Sequence, residues 1–445
     1  MEVHGVAPLE LLETAAGAMG RGDHLPHVVA WNLTRRCNLE CAHCYISAGP
    51  HESAEDELST DECRRIIDEI LAINASPMFI LSGGEPLLRD DLHSIAAHAT
   101  RGGATVVVGT NGTLLTDERI AGLADAGVTG VAVSVDSLVD KHHDNFRHGA
   151  GARVATVDAL DRLRARRMDF IIQTTAHRGN RHEIAGLAEW AAEQGAVSFN
   201  LYFLVATGRG ARLTDLTPQE YESLLAELVE HQRHYRGRML VRAKCAPHFM
   251  RHVHRDDPES PILNYSTRCP CGVQYCRITP DGKLTPCPYL PLAAGDLRKQ
   301  SFGDIWRDST LFHELRTKAL GGKCGECEYR SICGGCRARS YALEGDMLAA
   351  DPSCAYEPDG TQPLISPARS VTYGMPATVS MTWAPDARAR INRIPSFVRG
   401  VVVKRMEDYA RERGVTEITV DLLGEVRRSM PIDFSRRLPF FASDD

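Results

Sequence analysis

From about residue 27 to residue 235, short apolar runs alternate with amphipathic stretches. The runs His27–Thr34, Met78–Ser82, Thr105–Thr110, Gly130–Asp136, Asp169–Thr175 and Ser198–Val205 predict strands. Five of the six are continuous apolar runs, the pattern of parallel strands covered on both faces. Between and after them, Thr60–Asn74, Asp90–Arg101, Thr116–Ala126, Gly151–Arg166, Asn180–Gln194 and Thr217–Tyr235 predict helices. This alternation predicts a parallel sheet with helical crossovers. Six units fall short of the eight that close a standard barrel. The expected fold class is therefore α/β, with an open, partial (β/α)6 barrel of the TIM type.

After residue 245 the periodicity fades, and Cys, Gly and Pro dominate as far as residue 363. A chain folded around metal, with little apolar core of its own, has this composition. Helices are expected to return at Ser301–Leu320 and Arg337–Gly345, followed by a linker at Gly360–Ala377. Ala384–Ile394 and Ser396–Arg413 predict two helices broken at Pro395, with Val398, Val402, Met406 and Tyr409 as an apolar stripe on the second. Val415–Leu423 is expected to be a strand or short return. The expected division is an N-terminal extension (1–26), the barrel (27–244), a Cys-rich domain (245–363), and a linker with a small, mainly helical C-terminal domain (364–445).

Composition narrows the function. Of 445 residues, 43% are hydrophobic and 24% charged, as in globular proteins. The net charge of −7 argues against a nucleic-acid partner, which would require a basic footprint. No apolar run approaches the ~18 residues of a membrane-spanning helix. The first twenty residues carry Glu2, Glu10 and Glu13 and no basic n-region, so no signal peptide is expected. The expected location is the cytoplasm, with no membrane partner. In such a chain, clustered cysteines point to metal and not to disulfides. Of fourteen, three are Cys37, Cys41 and Cys44, and nine lie between Cys269 and Cys354. Cys63 and Cys245 stand alone and read as ordinary buried thiols.

Reactive groups in a parallel barrel gather where its strands end. Cys37 follows the first expected strand, Gly83-Gly84-Glu85-Pro86 the second and Thr110-Asn111-Gly112 the third. Ser134 and Asp136 end the fourth, and Gly208-Arg209-Gly210 follows the sixth. Cys37-Asn-Leu-Glu-Cys41-Ala-His-Cys44 spaces three thiolates as C-x3-C-x2-C on one loop. Four thiolates would saturate a cubane or a zinc ion, whereas three leave one iron open to a ligand's amine and carboxylate. The plainer alternative is zinc, with His43 as the fourth ligand.

The same C-x3-C-x2-C, followed by Tyr45 and downstream by Ser82-Gly83-Gly84-Glu85-Pro86, resembles the signature of radical SAM enzymes. The resemblance implies a [4Fe-4S] cluster on Cys37, Cys41 and Cys44 whose open iron chelates S-adenosylmethionine. It also implies a 5′-deoxyadenosyl radical as the reactive species and an electron donor such as flavodoxin or ferredoxin. Tyr45, Gly83, Gly84, Glu85, Asn111, Ser134 and Asp136 are then the cofactor-binding candidates. The glycines would permit close backbone approach, and Glu85 would accept from the methionine ammonium. Asn111, Ser134 and Asp136 would bind ribose or carboxylate. No catalytic acid or base is singled out.

Cys324-x2-Cys327-x5-Cys333-x2-Cys336 and Cys354, preceded by Cys269, Cys271, Cys276 and Cys287, resemble the SPASM auxiliary-cluster domain. The resemblance implies one auxiliary [4Fe-4S] cluster on Cys324, Cys327, Cys333 and Cys354. A second would sit on Cys276, Cys287 and Cys336, with Cys269 or Cys271. The last gap is x2 where the family pattern has x3, which leaves the role of Cys336 open. Zinc ribbons are the alternative.

SPASM enzymes commonly modify peptides, so a peptide is one substrate class. Cys324-Gly-Glu-Cys327-Glu-Tyr-Arg330, Cys333-Gly-Gly, Arg337-Ala-Arg339, Gly345-Asp346 and Asp351-Pro352-Ser-Cys354 instead resemble the radical enzymes of alternative haem and d1-haem biosynthesis. Ala30-Trp31-Asn32-Leu33-Thr34 and Tyr202-Phe203-Leu204 with Gly208-Arg209-Gly210 share that likeness. It implies a tetrapyrrole substrate whose carboxylate side chains are removed or oxidatively decarboxylated. Trp383, Ile394-Pro395, Phe397-Val398-Arg399, Glu407, Tyr409-Ala410-Arg411, Gly414 and Ile418-Thr419 are similar to a small C-terminal domain of light-independent protochlorophyllide reductase, another tetrapyrrole enzyme. Arg147, Arg209, Arg212, Arg242 and Lys244 are candidate partners for substrate carboxylates. His248, His252 and His254 are candidate axial ligands to an iron porphyrinoid. The remaining reading is a non-catalytic cluster or zinc protein.

Overall fold

The computed structural model describes residues 24–264, 268–365, 379–392, 394 and 396–429. Residues 1–23 of the expected N-terminal extension, most of the linker and Pro395 lie outside the described residues.

All six expected strands are present: β1 (Val28–Asn32), β2 (Met78–Ser82), β3 (Thr105–Thr110), β4 (Gly130–Ser134), β5 (Phe170–Ala176) and β6 (Ser198–Phe203). A seventh, β7 (Leu240–Lys244), pairs parallel to β6. Its Leu-Val-Arg-Ala-Lys sequence lacks the apolar run of a doubly covered strand because one face carries Arg242 and Lys244. The helices are α1 (Thr60–Ile73), α2 (Leu92–Arg101), α3 (Asp117–Asp125), α4 (Asp140–Arg147), α5 (Ala152–Ala165), α6 (Ile184–Glu193) and α7 (Pro218–His234). Helix α4 is not among the expected elements, since Asp-Lys-His-His-Asp-Asn-Phe-Arg has little apolar periodicity. Capping boxes, Ser59 with Glu62 and Thr217 with Glu220, start α1 and α7 where the polar-to-periodic change falls.

The strands run β1 to β7 in order, all parallel, as an open partial barrel. After α8 (Phe249–Asp256), strand β8 (Tyr275–Ile278) pairs parallel to the free edge of β1. The short β9 (Lys283–Thr285) and β10 (Gly295–Asp296) then continue the sheet antiparallel. The Cys-rich segment thus extends the barrel's own sheet. Alternate residues point to opposite faces of each strand. Val29, Trp31, Phe79, Leu81, Val106, Val108, Val131, Val133, Ile172, Phe199, Leu201 and Val241 belong to the core beneath the helices. The other face lines the lumen and carries Ala30, Ile80, Val107, Ala132 and Ile171, and, one row nearer the strand ends on β5 to β7, Gln173, Asn200 and Arg242.

Helices α9 (Phe302–Asp308), α10 (Thr310–Thr317), α11 (Gly322–Glu326) and α12 (Arg337–Glu344) follow. The C-terminal unit has its own core. Strand β11 (Thr382–Trp383) pairs with β12 (Glu417–Ile418), and α13 (Pro385–Asn392), α14 (Ser396–Glu412) and α15 (Val420–Ser429) pack around Trp383, Ile391, Val402, Met406 and Ile418. The expected strand or short return over Val415–Leu423 contains β12, and its last four residues are the start of α15. The unit docks at the end where β1 and β2 begin, opposite the cysteine loop. There Asn74 Nδ2 donates to Ser396 Oγ (3.0 Å), and Ser396 N donates to Ser76 O (3.1 Å). Among the described residues, no helix is long and apolar enough to cross a membrane.

Glu407, 2% exposed, ties that unit together. It accepts from Ser380 N (2.9 Å), Met381 N (3.2 Å) and Trp383 Nε1 (3.2 Å) and pairs with Arg411 (2.9 Å). Burial alone would raise its pKa, but the hydrogen bonds from Ser380, Trp383 and Met381 prevail and lower it. A depressed carboxylate contributes stability above the unfolded value of about 4.3, and that contribution is lost as pH falls. Glu407→Ala should therefore cost the unit about 1–3 kcal/mol at neutral pH. Faster hydrogen exchange at Ser380 and Met381 in the variant, with the difference shrinking in acid, is the expected measurement.

Candidate functional site

The loop after β1 crosses the mouth of the barrel and is held at backbone distance from two other strand exits. Gly84 N donates to Thr34 O (2.7 Å), and Glu85 N to Arg36 O (2.9 Å). A Cβ on Gly83 would come within 2.5 Å of Thr34 O, and one on Gly84 within 2.3 Å of Arg36 O. The glycines thus bring the β2 exit against the stem of the cysteine loop. From the β6 side, Arg209 Nε donates to Cys41 O (2.8 Å) and Nη2 to Ala48 O (2.7 Å), while Arg209 N donates to Cys44 O (3.0 Å). Gly208, at φ +54°, lies so close that a Cβ would sit 2.5 Å from Cys44 O.

Cys37, Cys41 and Cys44 share one cluster with Leu39, Ile46, Ala48 and Ala152. Leu39 N donates to Cys37 Sγ (3.4 Å) and Ala48 N to Cys44 Sγ (3.3 Å). Asn111 Nδ2 and Arg147 Nη1 approach Cys37 Sγ and Cys41 Sγ, each at 3.9 Å. Burial pushes the Cys37 thiol up to about 12 and raises that of Cys41 against the pull of Arg147. Thiolates in such a place need the positive charge of a bound metal, while the N–H donors aimed at sulfur suit an iron–sulfur cluster. The residues present therefore fit the cluster. Among the described residues, no three His, Cys, Asp or Glu side chains converge on a single bare ion. The His43 ring stacks on Phe146 at 4.7 Å, Phe146 stacks on His177 at 4.4 Å, and burial lowers His43 to about 3.

The other expected cofactor residues sit around the same mouth in different ways. Glu85, 0% exposed, accepts from Thr110 Oγ1 (2.8 and 2.9 Å), Asn111 N (2.9 Å) and Leu87 N (3.1 Å). Its carboxylate faces the protein and sets the β3 exit. Asn111 Nδ2 donates to Asn38 Oδ1 (2.9 Å) beside Cys37. Asp136 accepts from Arg147 Nε (2.8 Å) and Thr175 N (2.8 Å), and Arg147, His43 and His143 overcome burial to hold it well below the usual carboxylate range. Ser134 is half-buried at the end of β4. Tyr45 OH accepts from Asn32 Nδ2 (2.7 Å), and its ring lies 4.9 Å from that of Tyr289. A cavity of about 320 Å³ beside the loop is lined by Ala42, Asp136, Phe146, His177, Asn180 and Glu183, among others.

The downstream cysteines form two groups. Cys333 lies near Cys324 and Cys354, and Cys327 near Cys324. Asp351 N donates to Cys324 Sγ (3.4 Å) and Gly335 N to Cys333 Sγ (3.5 Å). In the second group Cys269 Sγ is 3.3 Å from Cys271 Sγ, Cys271 neighbours Cys287, and Cys336 neighbours Cys269 and Cys287. The short x2 gap works because Gly334 and Gly335 are both left-handed (φ +67° and +68°), which turns Cys333 to one group and Cys336 to the other. Asp351 spans the two groups, since its Oδ2 also accepts from Cys336 N (2.7 Å).

Two expectations change here. Cys276, 0% exposed, does not join the second group. It pairs in register with Val29 and sits in the core beneath the helices, with Arg316 as its charged neighbour. Tyr275 and Arg277 take the lumen face instead, and Arg277 Nε donates to Asn32 Oδ1 (2.6 Å). Conversely Cys245, expected to be an ordinary thiol, lies among Cys336, Cys287 and Cys269. It has a left-handed backbone (φ +57°), rare for a residue with a Cβ. Its position just past the end of β7 is the available signal, and it is hidden as long as that strand is. Cys63 faces the main core from α1, as expected.

Of the candidate cations, Arg147 is taken by Asp136 and Arg209 by the cysteine loop, while Arg212 is exposed. Of the candidate axial histidines, His248 is 1% exposed with Nε2 3.2 Å from Asp351, and His252 Nε2 is 2.8 Å from Glu222. His254 packs edge-on against Tyr329. These contacts turn His248 and His252 into the protein.

A parallel barrel open on one side, with three thiols across its mouth and two further thiol groups folded onto its edge, has the make-up of an iron–sulfur enzyme. Residues 31–191 match the family model described as the radical SAM superfamily, residues 269–336 that of an iron-sulfur cluster-binding domain, and residues 383–427 that of the proto-chlorophyllide reductase 57 kD subunit. The chain is 41% identical over 344 residues to the AdoMet-dependent heme synthase of Methanosarcina barkeri, covering 75% of this chain and 97% of that protein. It is 31% identical over 350 residues to the Fe-coproporphyrin III synthase of the same organism, covering 74% and 87%. Structures of Streptococcus suis SuiB, one bound to S-adenosylmethionine and one to precursor peptide SuiA, share the fold with a TM-score of 0.63 at 14% identity, covering 78% of this chain and 82% and 80% of theirs. The chain belongs to the radical SAM superfamily and carries a SPASM domain, so it is an enzyme that uses S-adenosylmethionine and [4Fe-4S] clusters.

The close approach at Gly208 makes a sharp test. Gly208→Val would displace the Cys44 carbonyl, so iron bound at the first loop should fall sharply, while Gly49→Ala, where a Cβ meets only Glu40 Cγ at 3.9 Å, should keep it. Iron and sulfide analysis of the two purified variants checks this.

Proposed function

We propose that this enzyme removes or oxidatively decarboxylates carboxylate side chains of a tetrapyrrole in haem-type cofactor biosynthesis. The observation that carries the reading is 41% identity to a heme synthase across 97% of that protein's length. The chemistry supplied by cluster and S-adenosylmethionine, when bound, is a 5′-deoxyadenosyl radical able to take a hydrogen atom from the substrate. In this reading Cys37, Cys41 and Cys44 hold that cluster and leave one iron open. The Leu39 and Ala48 N–H groups and the Arg147 guanidinium stabilise the sulfurs' negative charge. Asn111, Ser134 and Asp136 flank the bound nucleoside, with Tyr45 beside it. Gly83 and Gly84 hold the loop stem, and Glu85 supports Asn111 from behind. The two auxiliary centres rest on Cys324, Cys327, Cys333 and Cys354, and on Cys271, Cys287 and Cys336 with Cys269 or Cys245. The proposed setting is the cytoplasm, with flavodoxin or ferredoxin as electron donor. The proposed domain limits are 27–244, 245–363 and 364–445.

Anaerobic incubation of cluster-loaded enzyme with an iron coproporphyrin or a didecarboxysirohaem tests the reaction. The expected result is faster S-adenosylmethionine cleavage with the tetrapyrrole than without, and a product lighter by a carboxyl group lost as carbon dioxide or by a whole acetate side chain. Stimulation by a peptide and by no tetrapyrrole would replace this reading with peptide modification. For the second auxiliary centre, Cys271→Ser should lose up to about four irons per chain, whereas Cys276→Ser should lose none.

A further inference from the structure

The barrel lumen holds a cation that the cysteine chemistry does not use. Lys244, the last residue of β7, pairs in register with Tyr202 of β6. On β6, Phe199, Leu201 and Phe203 face the core beneath the helices, so Tyr202 and Lys244 share the opposite face, toward the lumen. Arg242, two residues earlier on β7, is on that face too. Lys244 is half-buried, and burial is enough to disfavour its charged form. Its charged neighbours are Arg242 and Cys245, and among the described residues it forms no ion pair with a carboxylate. An enclosed ammonium beside a second cation is costly until an anion neutralises it.

The walls nearby are flat and aromatic. Tyr45, Tyr202, Tyr275 and Tyr289 bring their phenols together, with the Tyr45 and Tyr289 rings 4.9 Å apart. Tyr45 directly follows Cys44 and also lies near Cys287, and Tyr289 and Tyr202 both lie near Cys245, the residue after Lys244. The tyrosines therefore bridge the space between the first cysteine loop and the lysine. A planar, largely apolar molecule with a carboxylate at its rim fits these surfaces, its face on the phenols and its anionic edge on β7.

We propose that Lys244 is a carboxylate subsite of the lumen and anchors one rim carboxylate of the substrate. The proposal rests on the tetrapyrrole reading and adds the residue that orients the ring. Its test is anaerobic equilibrium binding of iron coproporphyrin and of its tetramethyl ester to cluster-loaded enzyme, followed by the porphyrin absorbance. Wild type should bind the free acid about tenfold to a hundredfold more tightly than the ester. Lys244→Met should cut that preference about tenfold with ester affinity unchanged, and Lys244→Arg should keep it. Iron content and circular dichroism equal to wild type establish that each variant is folded and loaded, and Lys244→Gln takes the place of Lys244→Met if the latter is not. A Lys244→Met or Lys244→Gln enzyme that prefers the acid as strongly as wild type overturns the subsite and leaves the tetrapyrrole reading standing. A wild type that binds neither porphyrin overturns both.

Discussion

The structure depends on one constraint: the backbone after β1 must pass across the barrel mouth within hydrogen-bond distance of the β2 and β6 exits. Gly83, Gly84 and Gly208 make this possible because a side chain at any of them would overlap a carbonyl of the cysteine loop. Arg209 then secures the loop from the far side through Cys41 O and Ala48 O. The positions of Cys37, Cys41 and Cys44 are thus set by main-chain packing between distant strands. Side-chain donors from β3 and α4 only trim the environment of the sulfurs. A loop tied on both sides in this way presents its three thiols from a fixed backbone, which is the preorganisation that a cluster site requires.

The second organising fact is strand alternation. On every strand from β1 to β8 one set of residues faces the helices and the other faces the lumen, and a shift of one position changes a residue's role. Cys276 belongs to the core because it shares a face with Val29, while its neighbours Tyr275 and Arg277 belong to the lumen. The same rule places Tyr202 and Lys244 together on the other side of the chamber. The lumen is polar on both flanks of the sheet, with Asn32 and Arg277 at β1 and β8 and Gln173, Asn200 and Arg242 on β5 to β7.

The Cys-rich segment and the C-terminal unit take opposite ends of the barrel. The first adds β8 to the edge of β1 and wraps its thiols toward the mouth. The second docks through Ser396 on Asn74 and Ser76, at the end where the strands begin. Its Glu407 network is local to it and does not reach the cysteine loop. The likeness of this tail to a tetrapyrrole enzyme's domain therefore concerns a unit set away from the barrel mouth.

Periodicity and spacing were enough to read six strands, the six crossover helices and the C-x3-C-x2-C loop, because doubly covered parallel strands are apolar throughout and cluster ligands on one loop are close in the chain. Strand β7 was not legible, since its lumen face carries Arg242 and Lys244, and neither was α4, whose burial comes from the site and not from an apolar stripe. Which of the downstream thiols group together was decided only by the tertiary structure. Cys245, Cys271, Cys287 and Cys336 are far apart in the chain, and their meeting depends on the pairing of β8 with β1 and on two left-handed glycines. The sequence by itself determined the kind of chemistry, because residue type sets what a group can bind. The fold alone determined which groups share a chamber, because strand face and register are properties of pairing and are not written at any single position.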